Sequence, residues 1–426
     1  MQLSLNEYGS GLLPEARLTP ADRLLLADGA LDGMLRVREP ARGGIEVEAT
    51  SHVGVVRLEA CEIRVLPKYL GSGLDVLRML DYARGGTGRL LPSDQELTAG
   101  DPDLRDLVAL MVTEHGERLL RRGVRRDYLT REDDLPAVRG RLLVDRQLLR
   151  HHGRLDRLAC RYDEHDSDIP DNRLCAAALE QAARTARLPR VRARARRAAS
   201  QFAPLAPTPL GDLRTLVGGL EYHRHNAHYR AAHQWAELLL SGGGVGGLFA
   251  SGPLSSRAFL VDMNGLFEDF VTRLLTEGAA ISGLGLRVDA QARHRRVLFD
   301  ERTRSAYSEV RPDVLVFGER GGEPFRLPVD AKYKLYDDKK LSTADLYQAF
   351  LYAHAIGSPA SCVLVHPGGA GAAGARVAVR DWNGATSARV RAVPLDLRDA
   401  LAVLGGPEPS AAPARLWRDV LAQPPK

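Results

Sequence analysis

Asp313, Asp330 and Lys332 are the residues of this chain whose types and spacing best suit chemistry. They sit in Arg311-Pro312-Asp313-Val314-Leu315-Val316-Phe317 and Leu327-Pro328-Val329-Asp330-Ala331-Lys332-Tyr333-Lys334, two apolar runs rich in β-branched residues. Between them lies the polar, Gly-rich Gly318-Glu319-Arg320-Gly321-Gly322-Glu323. The pattern predicts a β-hairpin or two neighbouring strands. Residues i and i+2 of a strand share a face, so Asp330 and Lys332 project together, and strand pairing can bring Asp313 alongside. Two carboxylates offer hard oxygen ligands to Mg²⁺, which keeps part of its water shell and can also touch a phosphate oxygen. A neighbouring ammonium can position the attacking water and offset charge building on the phosphate. The chemistry expected is metal-assisted phosphodiester hydrolysis. The plain alternative is a surface hairpin in which Asp330 and Lys332 make a weakly stabilising ion pair.

The flanking elements bear on that choice. Pro312 biases Arg311 to extended geometry and opens a strand cleanly. Downstream, Asp345 to Tyr352 has helical patterning, with Gln348 and Tyr352 sharing a face at i, i+4. Upstream, Met263 to Phe270 reads as the start of an amphipathic helix able to present Glu268 as a further carboxylate. The order Glu268, Pro312-Asp313, Asp330-Ala331-Lys332, Gln348-x-x-x-Tyr352 resembles the PD-(D/E)xK nuclease superfamily in its RecB-like variety. Lysine is also scarce: six lysines stand among 59 basic residues, so a lysine at 332 carries more information than it would in a Lys-rich chain. Lys339 and Lys340 read as a solvated cluster.

At 426 residues, two or three domains are expected. Apolar content of 44% and charged content of 27% belong to a globular chain. Residues 1–7 lack the pattern of a signal peptide, and no apolar run reaches the roughly 18–20 residues of a membrane span. Cys61, Cys160, Cys175 and Cys362 include no C-x-x-C pair, which argues against zinc and against a disulfide framework. These features point to a reducing cytoplasm. A net charge of +5 permits nucleic-acid binding without requiring it.

Alternation of apolar and polar residues predicts a β-rich, antiparallel domain over 1–98, followed by a mainly helical middle region over 99–240 and a nuclease domain over 241–426. The fold class expected is α/β in the multidomain α+β sense, ending in a restriction-endonuclease-like mixed sheet flanked by helices. In the middle region, Leu104 to Leu120 is an amphipathic helix starting near Asp101-Pro102, and Leu129 to Pro136 a polar connection. The densest polar run, Asp163-Glu164-His165-Asp166-Ser167-Asp168, offers metal ligands. Helix capping by Asp171 or Asn172 and buried ion pairing account for it better. The arginines from Arg190 to Arg197 suit a DNA backbone or a solvated helix equally. His223, His225 and His228 lack the i, i+4 spacing of a zinc-protease helix and read as a polar helix start. Gly242 to Gly247 lacks the features of a phosphate loop and reads as a connector.

In order, these pieces resemble the McrC family, the nuclease subunits of McrBC modification-dependent (type IV) restriction systems. The resemblance rests on Val53-Gly54 with Ile63 to Lys68, Gly140-Arg141-Leu142, Tyr162-Asp163-Glu164 through Asp168-Ile169-Pro170 and Asn172-Arg173. It continues through Met263-Asn264, Leu266-Phe267-Glu268, Arg311-Pro312-Asp313 and Asp330-Ala331-Lys332. It implies Mg²⁺-dependent DNA cleavage together with a hexameric AAA+ GTPase, McrB, which recognises modified, methylcytosine-containing DNA. It also implies that the N-terminal region docks on that ring and stimulates GTP hydrolysis. Asp313 and Asp330 would bind Mg²⁺, with Glu268 completing the shell. Lys332 would position or activate water, and Gln348 and Tyr352 would orient the site or contact DNA. Pairing of two nuclease domains on DNA is compatible with a double-strand cut. Two other readings are a related system whose motor reads a specific sequence, and a non-catalytic adaptor that activates a partner NTPase.

Overall fold

The computed structural model describes residues 1–87, 102–243, 257–334 and 341–422, apart from 28, 30, 153, 370, 371 and 373. The expected Lys339–Lys340 cluster and most of the Gly-rich connector lie outside the described residues. The chain forms two compact units, Met1–Ser93 with Gly243–Lys426 and Asp94–Gly242.

In the first unit, the N-terminal alternation produces β1 (Gln2–Asn6), β2 (Ser10–Leu13), β3 (Leu35–Arg38), β4 (Ile45–Ala49), β5 (His52–Arg57) and β6 (Glu62–Leu66). In β4, Ile45, Val47 and Ala49 are buried while the glutamates between them face water, the period of a half-buried strand. β2, β4 and β3 form one antiparallel sheet. β1 pairs with β6 in parallel, however, where a wholly antiparallel domain was expected. The 55 residues between them, which include the helix Pro20–Ala27 and β2–β5, are not a hairpin turn but a long crossover, and long crossovers permit parallel neighbours.

The second unit contains β7 (Asp127–Leu135), β8 (Arg141–Leu142) and β9 (Leu158–Asp166), in the order β7-β9-β8. Leu129–Leu135 is therefore strand, where a polar connection was expected. Its charges are met across the ladder, where Arg131 pairs with Glu164 at 2.8 Å and Arg161 with Glu132 at 2.5 Å. Helices Leu104–Arg122, Pro170–Thr185, Pro189–Phe202 and Arg230–Leu240 pack together beside it. The first is capped by Asp103, whose side chain accepts from the Asp106 amide. The second is capped at Ile169, with Pro170 at its first turn. Proline suits that position because its missing N–H has no helical partner there. Asp171 and Asn172 thus lie inside the turn, correcting their expected role as caps. Both are buried, and Asp171 holds Arg125 at 3.0 Å.

The remaining strands belong to the first unit: β10 (Ala258–Asp262), β11 (Arg287–Ala290), β12 (His294–Asp300), β13 (Ser305–Val310), β14 (Val314–Arg320), β15 (Glu323–Ala331), β16 (Ser361–Pro367), β17 (Arg376–Arg380) and β18 (Thr386–Leu395). A mixed sheet runs β11-β14-β15-β16-β18-β17. β14 and β15 are a hairpin turned by Gly321 and Gly322 at φ 64° and 83°, as a two-residue turn between twisted strands requires. β15 then runs parallel to β16 through the helix Thr343–Ala355, as a crossover needs. β16 is an almost continuous buried apolar run, as expected of a strand covered on both faces. The helix Thr343–Ala355 covers one face, burying Leu315, Cys362, Leu364 and Val390 with its own Ala349 and Ala353. The expected α+β architecture with a helix-flanked mixed sheet is what the chain adopts.

β10 pairs with β5, joining the N-terminal and C-terminal segments in one sheet, β1-β6-β5-β10. The pairing depends on Gly54, at φ 146°, where a Cβ would lie 2.0 Å from the carbonyl oxygen of Phe259. Gly54→Ala should therefore destabilise this unit by about 3 kcal/mol, a clash of the overpacking kind. Urea melts of the two proteins check this; an unchanged midpoint would show that the strands separate without strain.

Candidate active site

The hairpin register aligns Val314 with Val329, so Asp313 at the mouth of β14 comes level with the end of β15. The Asp313 side chain accepts a hydrogen bond from the Ala331 amide at 2.7 Å. Its carboxyl also meets that of Asp330 at hydrogen-bonding range. Asp330 is 1% exposed, and no backbone amide donates to either of its buried carboxylate oxygens. Lys332 Nζ lies 2.8 Å from one of them, an ion-pair contact. The i, i+2 relation between Asp330 and Lys332 thus places their charges together.

The electrostatics follow from crowding negative groups out of water. Burial, then the charges of Asp330 and Glu268, push the Asp313 carboxyl up to about 8. Burial works against the Lys332 ammonium, but Asp330 and Asp313 outweigh it and hold its pKa above the ordinary lysine value. Lys332 is therefore a fixed cation here rather than a lysine poised to accept a proton.

Glu268 lies on the helix Met263–Ser282, which is capped by Asp262 through the amides of Asn264 and Gly265. It acts on Asp313 through its charge, while its carboxylate is bound by the side-chain amide of Gln291. Among the described residues no three Asp, Glu, His or Cys side chains form a group able to hold a metal ion. The structure brings Asp313, Asp330 and Lys332 together and leaves Glu268 beside them, engaged with Gln291. Two facing carboxylates, one with both oxygens buried and met by no backbone donor, still make a donor set of the hard-oxygen kind that suits Mg²⁺ with part of its water shell.

Gln348 and Tyr352 occupy one face of the helix Thr343–Ala355. The Gln348 amide donates to the Tyr352 hydroxyl at 2.8 Å, and that hydroxyl donates to the Arg311 carbonyl at 3.0 Å. The chain ends on the backbone two residues before Asp313, so these residues orient the entry to β14.

Two contributors escaped sequence reasoning. Gln291 has φ 55°, donates its backbone N–H to the Asp313 carbonyl at 2.7 Å and binds Glu268 with its side chain. Nothing in Ala290-Gln291-Ala292 signals this. Tyr333, next to Lys332, is 2% exposed and packs on Tyr69 and Phe267, with ring centroids 5.0 and 5.6 Å away. Its hydroxyl donates to Glu7 at 3.3 Å, anchoring the end of the motif to residues at the start of the chain. The earlier alternative ligand clusters do other work. Asp168 accepts from Arg173 at 2.7 Å, and Arg194 from the arginine run clamps Glu117 at 2.8 Å.

The profile of the McrBC 5-methylcytosine restriction system component family matches residues 47–367, and the chain belongs to that family. No curated protein matches it. Among solved structures, it is similar to a chain of the "refined half-complex from tetradecameric assembly of Thermococcus gammatolerans McrB AAA+ hexamers with bound McrC". The two are 18% identical over 99% of this chain and 100% of that one, with a TM-score of 0.63, so they share a fold. A chain of the cryo-EM structure of the Thermococcus gammatolerans McrBC complex is 20% identical over 66% of this chain and 88% of that one, with a TM-score of 0.47.

Burial pushes Glu7 up to about 7, despite hydrogen bonds from the Lys68 amide and Tyr333. The unfolded carboxyl ionises near 4.5 while the folded one keeps its proton, so stability falls as pH rises from about 4.5 to 7 and then levels off. Glu7→Gln should match wild type at pH 4 and exceed it by up to about 3 kcal/mol at pH 8. Denaturant melts at the two pH values read this directly; equal stability at pH 8 would contradict a buried, proton-retaining Glu7.

Proposed function

We propose that this chain is the Mg²⁺-dependent endonuclease subunit of a McrBC-like restriction system. In this reading it cuts DNA, methylcytosine-containing DNA in particular, together with an McrB-like AAA+ GTPase hexamer whose GTP hydrolysis it stimulates. The observation that carries the nuclease reading is the convergence of Asp313, Asp330 and Lys332, with both Asp330 oxygens buried and met by no backbone donor. The partner and substrate readings draw on the family description and on the assembly of McrB hexamers with bound McrC, one chain of which shares this fold.

Asp313 and Asp330 would hold the ion, with Glu268 adding negative charge from behind Gln291. When bound, Mg²⁺ supplies polarisation of the phosphate and a more acidic water. Lys332, kept cationic by its carboxylate neighbours, orients the incoming water and offsets negative charge on the phosphate, as a fixed donor does where charge develops. Tyr352 and Gln348 hold the Arg311 carbonyl and so the approach to Asp313.

The absence of a three-ligand group among the described residues favours one second reading, an adaptor that activates its partner NTPase without cutting. Separate assays divide the two. With the cognate motor present, Asp330→Ala should abolish cleavage of methylated plasmid, and Lys332→Ala should slow it by about 10²–10³-fold. Both should leave stimulation of GTP hydrolysis intact. Wild-type-like cutting by Asp330→Ala would remove the catalytic assignment and leave the adaptor. Equal cutting of methylated and unmethylated plasmid by the wild type would point to a motor that reads sequence.

A further inference from the structure

We propose that the outer face of the β17–β18 hairpin, with Trp382 at its tip, is a second DNA-binding surface, separate from the catalytic carboxylates. It rests on the reading of this chain as a subunit that works on DNA.

β17 alternates strictly: Val377 and Val379 pack onto the core beneath the helix Thr343–Ala355, while Arg376, Ala378 and Arg380 are exposed. In β18 the inward residues are Ala388, Val390 and Ala392, leaving Arg389 and Arg391 on the outer face. The register sets Arg376 opposite Arg391 and Ala378 opposite Arg389. Four guanidiniums therefore share one face of a two-stranded ribbon. Like charges directly opposite one another destabilise a ladder, so this arrangement is not explained by hairpin stability.

Neutralisation within the protein does not explain it either. Several arginines elsewhere are matched to carboxylates, as Arg131, Arg161 and Arg194 are. Among the described residues no carboxylate pairs with Arg376, Arg380 or Arg389. Arg391 donates to the backbone carbonyls of Asp419 and Val420, which carry no full charge. Beside the stripe lies a groove of about 650 Å³ with Phe325, Leu327 and Leu421 among its apolar walls, and with Arg376, Arg389 and Arg391 on its lining. Apolar surface flanked by guanidiniums that no carboxylate neutralises, with Glu323 on the far wall, complements a chain of bases and phosphates.

The tip is built to present its aromatic. One Asp381 carboxylate oxygen accepts from the amides of Asn383 and Ala385, each at 2.9 Å, and Gly384 takes φ 83° to close the turn. Trp382 is held out at 93% exposure, whereas Trp235 and Trp417, the other two tryptophans, are 2% and 3% exposed. Exposed aromatics beside a cationic track are how proteins stack bases while following a backbone. Same-face strand positions recur about every 6.7 Å, a spacing suited to successive phosphates. Asp330 aligns with Leu364, whose side chain lies in the core under the Thr343–Ala355 helix, so the arginine face is the opposite side of the sheet.

The test is a titration of the full chain with a single-stranded 20-mer and with a 20-base-pair duplex, in chelator so that nothing is cut. Tryptophan fluorescence should be quenched on binding, because Trp382 is the exposed indole. Trp382→Phe should remove the quench and weaken binding about fivefold or more. The triple variant Arg376→Ala, Arg380→Ala, Arg389→Ala should reduce the slope of log affinity against log salt by about 2. Variants whose melting matches wild type are the ones compared. An unchanged quench in Asp330→Ala supports a surface separate from catalysis. No quench, an unchanged salt slope in the triple variant, or equal quenching by polyglutamate would overturn the proposal. Failure of the wild-type chain to cut with Mg²⁺ and its motor present, with the quench intact, would count against the nuclease reading only.

Discussion

The constraint on which the site turns is a buried carboxylate that the protein meets with an ammonium and a second carboxyl rather than with backbone amides. Asp330 is enclosed at the end of a central strand, with Asp313 facing it and Glu268 close enough to act on Asp313. Burying such a group away from water and from backbone donors is destabilising, by an amount that usually exceeds what a surface ion pair returns. Lys332 offsets part of the charge, and protonation of Asp313 offsets another part. The remainder is a centre that attracts cations. That property, rather than the bare Asp-x-Lys spelling, separates this hairpin from an ordinary surface turn.

Holding acidic groups in this relation requires a rigid scaffold. β15 lies between β14 and β16, so Asp330 cannot move outward without breaking a parallel and an antiparallel ladder. Asp313 is fixed from both sides, by the Ala331 amide on its carboxylate and by Gln291 on its carbonyl. Tyr352 secures the preceding backbone, and Tyr333 anchors the following one on Glu7. The N-terminal segment thus contributes both a strand pair, β5 with β10, and a contact at the edge of the site.

Much of this was legible in the chain because it depends on local period. The i, i+2 relation of Asp330 and Lys332, the i, i+4 relation of Gln348 and Tyr352, and the hairpin around Gly321-Gly322 are short-range consequences of strand, helix and turn geometry. What escaped detection depends on distant partners. β7 looked like a loop because Arg131, Glu132, Asp133 and Asp134 are all charged, and only the facing charges of β9 make that run a strand. The parallel pairing of β1 with β6, the grip of Gln291 on Glu268 and the reach of Tyr333 to Glu7 leave no periodic trace. Glu268 was legible as an extra carboxylate near the site, but its engagement by Gln291 was not.

The most direct test of the account is calorimetric titration of Mn²⁺, standing in for Mg²⁺, into the protein without DNA or partner. The account predicts binding that is lost in Asp330→Asn and strongly weakened in Asp313→Asn. In the wild type it should tighten as pH rises from 6 to 9, because Asp313 must give up a proton it holds up to about 8. Equal Mn²⁺ binding by wild type and both variants, or an affinity indifferent to pH, would contradict it.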